Sequence, residues 1–203
     1  MRRINKKRQE KPTFLFIVEG ETEFWYLQMM KQNNEKLTIN IKPELPHKKK
    51  LKEQFELVKE LSSYYTKVFW IVDLDVIIQQ QKINDFINFR NKIINKYKNV
   101  EVIINNPCLE FWFLLHFKHT TSMFEMCNDV EKQLKQYLNK YQKSKDYFTK
   151  DNNDIYKQLE PYLNNAIQNA SKIGSFNPQN FKQSISEMYK IFQCLKQSIT
   201  LLK

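Results

Sequence analysis

Two short apolar runs, each ending in acid, constrain this chain more than any other feature. Thr13–Val18 reads TFLFIV and gives way to Glu19-Gly20, while Val68–Val72 reads VFWIV and gives way to Asp73-Leu74-Asp75. Strand-forming runs without polar alternation belong to strands buried on both faces, as in a parallel sheet covered by helices. Between and beyond them, helical and extended patterns alternate. After Gly20, Thr22 reads as a helix N-cap with helix over Phe24–Lys31. Leu37–Lys42 alternates as a strand, and Pro43 and Pro46 then break the chain. Leu51, Phe55, Val58, Leu61 and Tyr65 recur at helical steps, as do Ile83, Ile87, Ile93, Ile94 and Tyr97. Val100–Ile104 is a fourth strand, closed by Asn105-Asn106-Pro107, and Cys108–Phe117 is a short buried helix.

This alternation predicts an α/β fold, a mainly parallel sheet with flanking helices. Beyond Thr120 no strand is evident. Glu125–Tyr141, Asp154–Ile173 and Phe181–Leu202 read as amphipathic helices, with Pro161 an interruption and Gly174 a C-cap. The expected organisation is a basic N-terminal tail (1–12), an α/β domain (13–120) and a helical C-terminal extension (121–203).

Ligands of open α/β sheets bind at the carboxyl ends of the strands, which is where Glu19, Asp73 and Asp75 fall. Two apart on an extended segment, Asp73 and Asp75 are expected to project to the same side. Clustered carboxylates are costly unless a cation neutralises them, and hard oxygen donors favour Mg2+ or Mn2+. Glu23, one helical turn from Glu19, is a candidate further ligand. Glu21 is read as stabilising the positive helix end, more so than Glu23. Glu110 sits among residues that should be buried and needs a partner or a proton; it either joins the acidic rim or pairs with a base such as Lys118 or Arg90. His116 reads as a satisfied core residue. Asp73 and Asp75 could also merely cap the next helix.

The formal charge is +11, which points to a polyanionic partner, although a coding bias towards A and T would also raise lysine. Two basic clusters are sharper: residues 1–11, and His47–Lys52, whose Lys48, Lys49, Lys50 and Lys52 could hold phosphates. The three cysteines, Cys108, Cys127 and Cys194, are far apart and predict no disulfide framework. A zinc site from Cys108, His116 and His119 lacks the usual paired spacing. With 2 Gly in the chain, a glycine cradle for ATP is excluded, and no phosphate-binding or dinucleotide motif occurs. No apolar run approaches the ~20 residues that cross a bilayer, and no secretory signal pattern follows the basic N-terminus, so a soluble cytoplasmic protein is expected.

The segments FIVEGETEFWY, VFWIVDLDV and NNPCLEFWFLLHF, in this order across Thr13–Phe117, resemble the RloB-like family, bacterial proteins associated with abortive infection and phage defence. SFNPQN, residues 175–180, resembles an Asn-Pro element near that family's C-terminus but departs from its usual Asn-Pro-Ser-Thr form. The family is similar to Toprim domains of topoisomerases, primases and OLD-type nucleases. That resemblance implies a Toprim-like fold, a general acid or base at Glu19, and magnesium ligands at Asp73 and Asp75. It also implies an ATPase partner of the AAA or ABC type. The combined expectation is a metal-dependent nuclease acting on DNA or RNA, tRNA included, with Glu23 and Glu110 completing a second metal site. The alternatives are a nucleic-acid- or ATPase-binding module without catalysis, and a metal-dependent nucleotidyl or phosphoryl transferase.

Overall fold

The computed structural model describes residues 12–43 and 50–201. The N-terminal tail and Lys48 and Lys49 of the second basic cluster lie outside the described residues. Four strands are parallel: β1 (Thr13–Ile17), β2 (Thr38–Lys42), β3 (Lys67–Asp73) and β4 (Val100–Asn106). A two-residue β5 (Ile185–Ser186) joins β4 antiparallel, giving the order β2-β1-β3-β4-β5. This is the expected α/β architecture with one addition, since no strand was expected after Thr120. Two residues are too few to show alternation, and β5 is held by side chains as much as by its ladder.

The helices connecting the strands are α1 (Glu21–Gln32), α2 (Leu51–Leu61), α3 (Leu74–Gln79) and α4 (Ile83–Lys96). After β4 come α5 (Leu109–Leu115), α6 (Cys127–Leu134), α7 (Lys145–Phe148), α8 (Ile155–Leu159), α9 (Leu163–Ile173) and, beyond β5, α10 (Met188–Leu201). The helix expected over Glu125–Tyr141 is therefore only α6. Residues 181–187 are not helical, and α10 starts at Met188. Pro161 lies in a 3-10 turn, Glu160–Tyr162, between α8 and α9, and Gly174 ends α9 with φ 99°. A left-handed backbone there suits glycine, which lacks the Cβ that would clash.

Alternation along the strands divides the core between the two faces of the sheet. Phe14, Phe16, Phe69, Ile71 and Ile103 face a layer built from α1 and the helices after β4. Leu15, Ile17, Val68, Trp70, Val72, Val102 and Ile104 face α2, α3 and α4. Both faces are covered, which is why these strands read as unbroken apolar runs. At the centre of the first layer Trp112 stacks on Phe192 with ring centroids 5.5 Å apart and donates its indole N–H to the Tyr26 hydroxyl at 3.0 Å. Residues beyond Thr120 thus share a core with α1 and α5. No described helix is long and apolar enough to cross a membrane.

The asparagines that end β4 fasten the C-terminal segment to the sheet. Asn106 donates its amide to the carbonyls of Phe181 and Gln183, both at 2.7 Å. Asn105 accepts the Ser186 hydroxyl at 2.7 Å. Glu187, almost fully buried, accepts the N–H groups of Ile104 and Phe176 and pairs with Lys190 at 2.6 Å. Asn106→Ala leaves two part-buried carbonyls without their donor and is expected to destabilise the fold by roughly 1–2 kcal/mol. Urea denaturation of the variant against the parent chain measures this.

Candidate metal centre at the carboxyl ends of the strands

The chain enters α1 through Gly20, the N-cap residue, and not through Thr22 as expected. Gly20 donates its N–H to Glu23 Oε2 at 3.1 Å, and a Cβ at Gly20 would meet that oxygen at 2.8 Å. Glycine permits this close approach, because a side chain would displace the Glu23 carboxylate. Stabilisation of the helix start, assigned above to Glu21 more than to Glu23, is performed by the buried Glu23 through this bond. Glu21 is exposed in the same first turn.

Asp73 is the last residue of β3, while Asp75 already lies in the first turn of α3. The two are not on one extended segment, and their common side follows from the strand-to-helix turn. Asp75 donates its N–H to the Pro107 carbonyl at 3.1 Å and its Oδ1 accepts from Val76 N–H at 2.7 Å. The Asp73 carboxylate is fixed by two donors: Asn105 Nδ2 reaches Oδ1 at 3.1 Å and Leu109 N–H reaches Oδ2 at 3.0 Å. Each oxygen keeps a further lone pair for another partner.

These turns enclose a cleft of about 460 Å3 lined by Glu19, Glu21, Glu23, Asp73 and Asp75, with Trp25, Cys108, Cys127 and Lys143 on its walls. Glu110 lies behind it, 1% exposed, with Oε1 accepting the Tyr141 hydroxyl at 2.7 Å and pairing with Lys143 Nζ at 3.0 Å. Burial, then the charges of Glu23, Glu110 and Asp75, raise the Asp73 carboxyl well above the ordinary aspartate range, against the pull of Leu109 N–H. Glu110 is likewise raised by burial, although Lys143 and Tyr141 oppose the shift. Such a site, with several carboxylate oxygens and too few cations, has the donor chemistry of a hard divalent ion such as Mg2+ or Mn2+.

The model of the RloB-like protein family matches residues 14–195. The chain belongs to the RloB-like family. No curated protein and no solved structure gives a significant match.

In this RloB-like protein the cleft collects Glu19, Glu23, Asp73 and Asp75, and Glu110 is coupled to it electrostatically. The two described residues of the predicted basic cluster are elsewhere. Lys50 and Lys52 are exposed at the start of α2 and line a separate groove with Glu53, Glu56 and Glu60. Glu110 pairs with Lys143 rather than with Lys118 or Arg90. Lys143 also pairs with Glu131 at 3.0 Å, and Glu110 and Glu131 raise its pKa despite partial burial. Asn105, Tyr141 and Lys143 were not foreseen. Only Asn105 carried a signal, through its place in the Asn-Asn-Pro-Cys run.

The sulfur chemistry also departs from expectation. Cys108 and Cys127 are disulfide-bonded, joining the residue before α5 to the first residue of α6. Spacing along the chain gave no hint of the pair, because the loop between them folds back on α5. His116 does not join Cys108 as a zinc ligand. Its Nδ1 is 2.9 Å from the Trp112 carbonyl oxygen, and burial lowers its pKa to about 4. Among the described residues, Cys108, Glu110 and Cys127 form the one group with metal-ligand spacing, and the bridge withholds its sulfurs.

Two outcomes are expected. Unreduced, denatured protein should show one reactive thiol, Cys194, and three after reduction; reduction should also lower stability by roughly 3 kcal/mol, typical of a loop this size. Thiol titration and denaturation with and without reductant test this. The second concerns pH. A carboxyl raised in the folded state contributes stability that is present below its unfolded pKa and is lost as pH rises through its folded value. Metal-free protein should therefore lose stability over that window, and Mg2+ or Mn2+ should raise Tm more at pH 8 than at pH 5. An equal rise at both values would contradict a carboxylate-held ion.

Proposed function

We propose that this chain is a divalent-metal-dependent nuclease of a bacterial phage-defence system, with a Toprim-like centre. The observation that carries the reading is the convergence of Glu19, Glu23, Asp73 and Asp75 on one cleft, with the Asp73 carboxylate held by two donors and its pKa raised by burial and then by its acidic neighbours. The defence role, the Toprim relation and an ATPase partner rest on resemblance to the family.

Asp73 and Asp75 would hold the ion, with Glu19 and Glu23 lining the same cleft. An Mg2+ or Mn2+ ion held there would supply positive charge against the phosphodiester and activation of a water. Glu19 is assigned proton transfer to the leaving oxygen or from the attacking water. Asn105 and the Leu109 N–H keep Asp73 in one rotamer, so its lone pairs are aimed before substrate arrives. Lys143 offsets the charge of Glu110 behind the cleft, which limits repulsion of an incoming phosphate. The net charge of +11 favours approach of a polyanion.

Asp73→Asn should remove Mg2+- or Mn2+-dependent cleavage of DNA, total RNA and tRNA by more than about 100-fold, since loss of a group supporting a ligand already costs 10–100-fold. Asn105→Ala, which releases Asp73 without removing it, should fall within that 10–100-fold range. Assays with and without the product of a neighbouring ATPase gene read both variants. Full cleavage by Asp73→Asn would overturn the reading. Metal-independent binding without cleavage would favour a binding module instead, and nucleotide incorporation a transferase.

A further inference from the structure

A second cavity, of about 300 Å3, adjoins the acidic cleft, and Asp75 lines both. Its walls are apolar: Ile78 from α3, Met123, Phe124 and Met126 from the loop before α6, and Phe181 from the segment before β5. Met123 is 68% exposed and Met126 42%, unusual for adjacent large apolar side chains beside an acidic cleft. Polar groups stand at the rim, among them Gln79, Asn106, Glu125 and Lys182. Small-molecule sites have this composition, mostly apolar surface with a few placed polar groups, and start at about this volume.

The two cavities are set relative to each other by consecutive residues of one strand. Asn105 holds Asp73 in the cleft, and Asn106 holds the Phe181 backbone in the wall of the cavity. Whatever occupies the apolar cavity is thus at a fixed offset from whatever is bound at the carboxylates. A phosphodiester at the acids carries its nearest base one sugar away, and the two cavities are adjacent through Asp75. Flat, apolar-faced and polar-edged, a base matches thioether and aromatic walls with an amide and an ammonium at the rim. A base still paired in a duplex cannot enter such a cavity without leaving the stack.

We propose that this cavity receives an unpaired nucleobase next to the scissile phosphodiester, so that the substrate is single-stranded or locally unpaired nucleic acid. The inference rests on the nuclease reading and adds the substrate class to it. Met123 and Phe181 are the residues that contact the base.

The test is binding by the full chain, with Ca2+ replacing Mg2+ to suppress cleavage, of oligonucleotides carrying 2-aminopurine at successive positions. Single strands should bind more tightly than the matching duplex, with 2-aminopurine fluorescence changing sharply at one position. An abasic residue there should weaken binding by about 5-fold or more, the usual worth of one stacked base. Met123→Ala and Phe181→Ala should weaken binding of the intact strand similarly and of the abasic strand not at all, while Phe181→Tyr restores it. Equal affinity for duplex and single strand, or an abasic substitution without effect at every position, would overturn the proposal. So would seating of an apolar peptide with no response to bases. Base-dependent binding without cleavage under Mg2+ or Mn2+ would leave the cavity standing and defeat the nuclease reading. Cleavage that ignores base removal would do the reverse.

Discussion

The Asp73 carboxylate is the point on which the site turns. Its two oxygens are held by the Asn105 amide and the Leu109 N–H, so one side chain joins the end of β3, the end of β4 and the start of α5. Asn105 can do this only because Ser186 of β5 occupies its amide oxygen and fixes the amide's orientation. The position of an acid in the middle of the sheet therefore depends on a serine near the C-terminus, more than a hundred residues later. Chain after residue 120 is part of the site's support as well as of its core.

Much of this fold was legible because both faces of the sheet are covered. Burial on two sides makes TFLFIV and VFWIV unbroken apolar runs, and such runs stand out in a lysine-rich chain. The acids that follow were legible for the same reason, since a parallel sheet exposes its strand ends at one rim. The geometry of Asp75 was not legible. Whether Leu74 continues the strand or opens α3 depends on the Asp75 N–H finding the Pro107 carbonyl, a contact made from another strand's end. Gly20 was read only as a stop, yet its part is to let the Glu23 carboxylate approach the backbone.

The surroundings of Glu110 show where reading along a chain fails. A glutamate in an apolar helix demands a partner, and that demand could be read from PCLEFWFLLHF alone. The partner could not. Tyr141 and Lys143 come from the irregular stretch after α6, the former at the end of the longer helix expected over Glu125–Tyr141 and the latter beyond it. The Cys108–Cys127 bridge has the same origin, because it depends on the path of that loop back across α5. Local pattern fixes elements, whereas the contacts of loops are set by what the elements leave uncovered.

Glu19, Glu23, Asp73, Asp75 and Glu110 form the least comfortable region of an otherwise consistent molecule. Elsewhere, apolar faces meet apolar faces, and the buried Gln54 accepts a hydrogen bond from the Trp70 indole N–H. In the acidic region, burial and neighbouring acids both disfavour the charged forms of Asp73 and Glu110, and only Lys143 stands as a counter-charge among the cleft-lining residues. A fold selected for stability alone would replace such a cluster, since apolar residues of similar size cost less. The fixed rotamer of Asp73 makes the strain informative. A carboxylate that merely avoided its neighbours would turn into solvent, whereas this one is held at the cleft by two hydrogen bonds. Holding like charges together at a cost to the empty protein is useful when an ion or a transition state later supplies the opposite charge.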